Sequence, residues 1–337
     1  MWRKASVLYQ VRHYFPLSFR RLYHYKSDAK VLKILDKFIS LRMNIDLRNE
    51  YQFEKMNILV TNDDGYRAKG IQTLVSIMRQ FGSVTVVAPK YHQSGMGMSV
   101  SMGLRPIAVK RLEDRDGVSW YYVDATPASC VKYAIDEVYR ECKPDIVVCG
   151  INHGSNAATA ACYSGTLGAA QEAAVNGILG IGVSLDNMHH DADFSSVEKF
   201  FPQIFEKLTA LKDHKFGLYY NVNFPNIPSE KIKGVRVGKQ GIGHWEREFQ
   251  HWDENFCNRL GIKAEAYSLV NLEAKAEDGE EMFVMVGDFI DDPRNTPLAD
   301  HHLMAQGYVS VTAHQLLSCD KAECEKLREA GLDTDFQ

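Results

Sequence analysis

The chain has 337 residues, 45% of them hydrophobic, enough to bury a large core as one big α/β domain or as one domain with appendages. No uncharged apolar run reaches the roughly eighteen residues of a membrane-spanning helix, so a soluble protein without a membrane partner is expected. The net charge of -4 hides an asymmetry. Residues 1–55 carry twelve Lys or Arg against five Asp or Glu, a net of +7 that leaves -11 for the rest. An acidic body lacks the basic face that nucleic-acid binding needs, which sets that task aside as the main one.

The basic stretch 1–55 is expected to be an extension of the body. Arg3, Lys4, Arg12, Arg20, Arg21 and Lys26 all precede the first acidic residue, Asp28. A transit peptide has such charge, but Ser is sparse and no compact apolar region leads to a small-residue cleavage site. The reading is a disordered tail or a start assigned upstream of Met56, with a helical surface appendage or a targeting segment as alternatives. The seven cysteines are odd in number and form no C-x-x-C pair, which speaks against a disulfide framework or a zinc knuckle. Cys142 and Cys149 read as small core residues of a reducing compartment, so a cytoplasmic location is expected.

The first element is the apolar run 57–61 (NILVT), the pattern of a strand buried on both faces of a parallel sheet. Asn62-Asp63-Asp64-Gly65 follows it. Residues 70–79 put Ile71, Leu74, Val75 and Met78 on one helical stripe, and Val84–Val87 is a second buried strand, completing a βαβ unit. After a Gly/Ser/Met loop at 93–101, stretches 105–110 and 120–123 alternate like a hairpin. Then come a helix at 126–140, a strand at 145–149 (DIVVC), an Ala-rich helix at 165–176, a strand at 181–185, a helix at 195–211 and a strand at 218–224. This alternation implies a Rossmann-like, doubly wound, mostly parallel sheet. From 234 to about 295 the helical period disappears, and extended β-hairpins forming an oligomerisation arm are expected. A last strand is read at 307–312, and a charged tail from about 316 carries a weak exposed helix.

Ligands of open parallel sheets bind beyond the carboxyl ends of the strands, so the loops there carry the candidate site. Two successive carboxylates, Asp63 and Asp64, repel each other and are costly in a partly dehydrated crevice unless a cation compensates them. Oxygen donors from Asp, Asn and Ser suit Mg²⁺ or Mn²⁺. The plainer reading of Asn-Asp-Asp-Gly is a turn, since these residues dominate turns. Ser164-Gly165-Thr166 opens the Ala-rich helix, where free N–H groups and the positive dipole end offer an anion seat, or simply an ordinary cap. The stretch GVRVGKQ at 234–240 is one residue short of a phosphate-binding loop and lacks its Ser or Thr. The pairs His189-His190 and His301-His302 are read as solvated rather than as metal ligands, and Trp245 and Trp252 as filling an arm interface.

The segments MNILVTNDDGYRAKGIQTL, YHQSGMGMSVS, PDIVVCGINHGSNAATAACYSGTLGAAQEA and ADHHLMAQGYVSVT together resemble the SurE family of survival-protein nucleotidases, over about 56–315. The resemblance implies a Rossmann-like core, a homodimer or arm-linked tetramer, and metal-dependent hydrolysis of nucleoside 5'- and 3'-monophosphates. It places one divalent ion per subunit on Asp63, Asp64, Ser94 and Asn152, with Asn62, Asn156, Ser164, Gly165 and Thr166 lining the phosphate. Asp63 or Asp64 would serve as base as well as ligand. Departures are the stretch 1–55, His153 where a small residue is common, and a divergent arm. The rival readings are a covalent haloacid-dehalogenase-like phosphatase, which needs carboxylates two apart rather than adjacent, and a non-catalytic metal-dependent nucleotide-binding module.

Overall fold

The computed structural model describes residues 56–103, 105–211, 214–253, 255–256 and 275–333. All lie in the unit Lys55–Gln337, and the expectations for 1–55 fall outside the described residues. In chain order the elements are β1 (Met56–Thr61), α1 (Lys69–Met78), β2 (Gly82–Pro89), β3 (Val109–Arg111), β4 (Ser119–Val123), α2 (Pro127–Tyr133), β5 (Ile146–His153), α3 (Gly165–Val175), β6 (Leu179–Leu185) and α4 (Ser195–Thr209). There follow β7 (Leu218–Phe224), β8 (Val235–Val237), β9 (Gly243–Glu246), β10 (Phe249–His251), β11 (Phe283–Met285), β12 (Asp288–Asp291), α5 (Asp300–Ala305), β13 (Val309–Gln315) and α6 (Lys321–Glu329).

Nine strands form one sheet in the order β3-β4-β2-β1-β5-β6-β7-β13-β8. The run from β4 to β7 is parallel throughout. Only β3 against β4 and β13 against β7 pair antiparallel. The apolar residues of β1 divide by their period of two: Ile58 and Val60 pack with Ile71 and Leu74 of α1 and Phe201 and Phe205 of α4, whereas Leu59 packs with Val131 of α2 and Leu167 and Ala170 of α3. Two helix layers thus cover the sheet, and this is why its central strands read as continuous apolar runs. The Rossmann-like α/β expectation holds.

Several details differ from the sequence reading. The helix expected at 126–140 is α-helical only to Tyr133 and continues as a wider π turn over Ala134–Val138. The hairpin strand expected at 105–110 shrinks to the exposed β3. Val235–Val237 joins the edge of the main sheet, parallel to β13, and the separate ribbons β9–β12 and β10–β11 start only beyond it. Cys149 is buried as expected, but Cys142 is exposed.

Sheet order reverses between β1 and β5: β2 lies on one side of β1, and the later β5, β6 and β7 follow on the other. The crevice at such a switch point is where open α/β sheets hold ligands. The loops after β1 and β5 meet there.

Candidate metal and phosphate site

Asn62, Asp63 and Asp64 follow β1 directly. Asn62 donates from Nδ2 to the Gly65 carbonyl at 2.9 Å, and Gly65 turns the chain with φ 97°, a left-handed conformation suited to glycine. The turn reading is therefore correct as geometry, and the turn aims the two carboxylates at different neighbours.

Asp63 is 3% exposed and faces the start of α3. The Thr166 hydroxyl donates to its Oδ1 at 2.6 Å. Ser164 caps the helix, its Oγ accepting from the Leu167 N–H at 3.0 Å. Gly165 is small for a reason: a Cβ there would lie 2.9 Å from Asp63 Cβ and 3.0 Å from its Oδ2. The Asp63 carbonyl accepts from the Gln93 N–H at 2.7 Å, drawing the loop of the exposed Ser94 to the same place. That loop continues onto α3, where Gly168 leaves room for the Gly97 carbonyl.

Asp64 turns toward β5. Its Oδ2 accepts from the His153 N–H at 3.2 Å and contacts His153 Nδ1 at 2.8 Å. His92 Nδ1 stands 3.4 Å from Asp64 Oδ1, within ion-pair range but outside hydrogen-bond geometry. Burial, opposed by the Asp64 charge, holds His92 below the ordinary imidazole range. Neighbouring Asn152 is 6% exposed and spends its amide N–H on the Gly154 carbonyl at 2.7 Å, so that only its Oδ1 is left to offer a cation.

Asn156 is placed differently from the others. Its N–H donates to Asn223 Oδ1 and its side-chain amide to Ser184 Oγ, both at 2.8 Å, while Asn221 donates to its carbonyl at 2.9 Å. Asn223 in turn donates to Asn221 Oδ1 at 2.8 Å. This buried polar network fixes the loop after β5. Sequence reasoning missed Asn221, Asn223 and Ser184, although two Asn at alternate positions of an apolar strand were a usable signal. It also missed Asp300. This buried carboxylate gathers the N–H groups of Ala158 at 2.9 Å, Gly241 at 3.0 Å and His301 at 2.9 Å, tying the 158–162 turn, the segment before β9 and α5 together.

The donor set fits a hard divalent cation. Burial first, and then the charge of Asp64, push Asp63 up to about 7 from 3.8, so the pair resists double ionisation. Among the described residues no Lys or Arg pairs with either carboxylate, and the buried Asn62 Oδ1 has no partner. Oxygen ligands with unspent negative charge are the chemistry of Mg²⁺ and Mn²⁺ sites. The N-terminus of α3, the kind of helix end that presents N–H groups to anions, lies beside them.

Fold and site together define a Rossmann-like α/β protein with a carboxylate pair and a helix N-terminus sharing the switch-point crevice. The family model of survival protein SurE matches residues 58–247. The chain is similar to 5'-nucleotidase SurE of Cytophaga hutchinsonii, 40% identical over 270 residues that cover 77% of this chain and 93% of that one. It is likewise similar to 5'-nucleotidase SurE of Bacteroides fragilis, at 36% identity covering 76% and 89%. The crystal structure of the SurE protein from Aquifex aeolicus superposes with a TM-score of 0.63 at 26% identity, covering 82% of this chain and 99% of that one. The chain belongs to the SurE family.

Proposed function

We propose that this chain is a 5'-nucleotidase, a divalent-metal-dependent phosphatase that hydrolyses nucleoside 5'-monophosphates, and 3'-monophosphates as well, to nucleoside and phosphate. The observation that carries the reading is the Asp63–Thr166 contact, which puts a metal-type carboxylate pair against a helix N-terminus in one crevice. The names of the relatives, 5'-nucleotidase SurE, support it. One Mg²⁺ or Mn²⁺ per subunit would be held by Asp63, Asp64, Ser94 and Asn152. When bound, the ion supplies neutralisation of phosphate charge and acidification of water.

The chain's own groups do the rest. Asn62, Asn156 and the Ser164-Gly165-Thr166 terminus line the phosphate, the N–H groups there countering charge that builds up on its oxygens. Asp63 or Asp64 takes the proton of the attacking water, and Thr166 and His153 hold those two carboxylates in place. The family assignment favours neither the covalent nor the non-catalytic alternative. The location is taken to be cytoplasmic, and a homodimer, or a tetramer joined through the arms, accords with the exposed Phe249, Phe283 and Met285 on the β10–β11 ribbon.

A phosphate-release panel over nucleoside 5'- and 3'-monophosphates, with Mg²⁺ or Mn²⁺ added separately, tests the reading. Asp63→Asn and Asp64→Asn should each cut release roughly a thousandfold or more. Wild-type rates in both variants would overturn it.

A further inference from the structure

Away from the crevice, His301 and His302, which the sequence reading had left as solvated, converge on a third side chain, Asp291. Asp291 ends β12 in the arm, and His301 and His302 lie in the first turn of α5. His301 Nε2 is 2.9 Å from Asp291 Oδ1, and His302 Nε2 is 2.7 Å from Asp291 Oδ2. All three ligand atoms fall within 4.8 Å of one another.

The proton count makes the cluster unusual. His302 Nδ1 faces the Thr296 carbonyl at 3.1 Å, and a carbonyl can only accept, so that nitrogen carries a proton. A neutral His302 then turns the lone pair of Nε2 on a carboxylate oxygen, and two acceptors at that distance repel. His301 has Nε2 on Asp291 and Nδ1 3.5 Å from Asp300 Oδ1, a contact too long to fix its tautomer. A positive species, a proton or a metal ion, must stand between His302 and Asp291. Both rings, their centroids 4.2 Å apart, converge on that one carboxylate. A single divalent ion would take the Nε2 lone pairs of both rings and the charge of Asp291 together.

The surroundings are those of a ligand set. Thr296 fixes the tautomer of His302, and Asn295 holds Asp291 Oδ1 with a 2.6 Å hydrogen bond, the outer partners that metal ligands ordinarily have. Tetrahedral bonds of about 2.0–2.1 Å separate ligand atoms by about 3.3 Å, so the present contacts need open only by a few tenths. We propose that Asp291, His301 and His302 form a second metal site, selective for Zn²⁺ or a similar borderline transition ion, which clips the arm strand β12 to helix α5. Two imidazoles and one carboxylate favour that class over Mg²⁺. The clip bears on the crevice through a line of rings: Phe289 packs on His301, Trp245 on Phe289 and Tyr163 on Trp245, at centroid distances of 5.6, 5.2 and 6.1 Å. Tyr163 immediately precedes the Ser164 cap.

The full chain, stripped with a chelator, is titrated with Zn²⁺ by calorimetry beside His301→Gln, His302→Gln and Asp291→Asn, each confirmed native by circular dichroism. Exposed thiols are common to all four proteins, so they cancel in the comparison. Wild type is expected to take up one equivalent that each variant loses or binds at least tenfold more weakly. Asp63→Asn should retain that equivalent, which keeps this result separate from the fate of the phosphatase reading. Zn²⁺ should also slow hydrogen exchange at 243–246 and 288–291 in wild type and not in His302→Gln. Equal Zn²⁺ uptake by wild type and the natively folded variants would overturn the site. Unchanged exchange in the arm would overturn the clip.

Discussion

Thr166 donates its hydroxyl proton to Asp63 Oδ1 at 2.6 Å, joining positions 103 residues apart and putting the start of α3 against the turn after β1. The bond favours the ionised carboxylate, the form a cation needs. Thr166→Val keeps the shape and deletes the donor. Metal affinity and kcat should both fall, by roughly ten- to a hundredfold, and Thr166→Ser should restore them. Phosphate release at saturating and limiting Mn²⁺ separates the two effects.

Gly165→Ala tests how tightly the crevice is built. The added methyl would sit 2.9 Å from Asp63 Cβ and 3.1 Å from the Gln93 carbonyl, neither of which is a free side-chain end. Overpacking of this kind costs about 1–3 kcal/mol. Urea unfolding should show that loss, and calorimetry should show weakened metal binding in the folded variant.

In the metal-free protein Asp63 holds its proton up to about 7, whereas the unfolded chain releases it near the ordinary 3.8. Between those values the folded state binds more protons, so this residue makes stability fall as pH rises. With a chelator present, Asp63→Asn should therefore gain on wild type between about pH 4 and about pH 7 in urea midpoints. Metal binding has to displace the same proton, so wild-type affinity should climb with pH over that window.

Asp300→Ala strands the N–H groups of Ala158, Gly241 and His301. Leaving a buried donor unpaired costs about 1–3 kcal/mol, so for three donors a total loss of about 3 kcal/mol or more is expected. Thermal unfolding reads the total. Hydrogen exchange should localise it to the 158–162 turn and the segment before β9.

Much of the framework was legible because it is written in local patterns. The run NILVT announced a doubly buried strand, and the stripe of Ile71, Leu74 and Met78 a covering helix. Where the reading slipped, a distant partner decided. β8 is too short to show a period and exists because β13 presents it an edge. β5 runs on to His153, past the end read at 149, and at Gly150 β6 passes so close that a Cβ would meet the Val183 carbonyl at 2.2 Å. The polar strand pair Asn221 and Asn223 makes sense only once Asn156 is seen to consume it.

The sequence by itself determined the chemistry after β1. Two adjacent carboxylates carry their mutual repulsion wherever the chain goes, and Asn62 and Gly65 can close their turn without outside help. Tertiary structure alone decided what each carboxylate meets: Thr166 for Asp63, and His153, 89 residues away, for Asp64. It also turned His301 and His302 from two solvent-facing rings into a pair converging on Asp291. Charge and turn propensity are properties of neighbouring residues. Pairing between remote side chains depends on which strands the crossovers set side by side, and no local pattern encodes that.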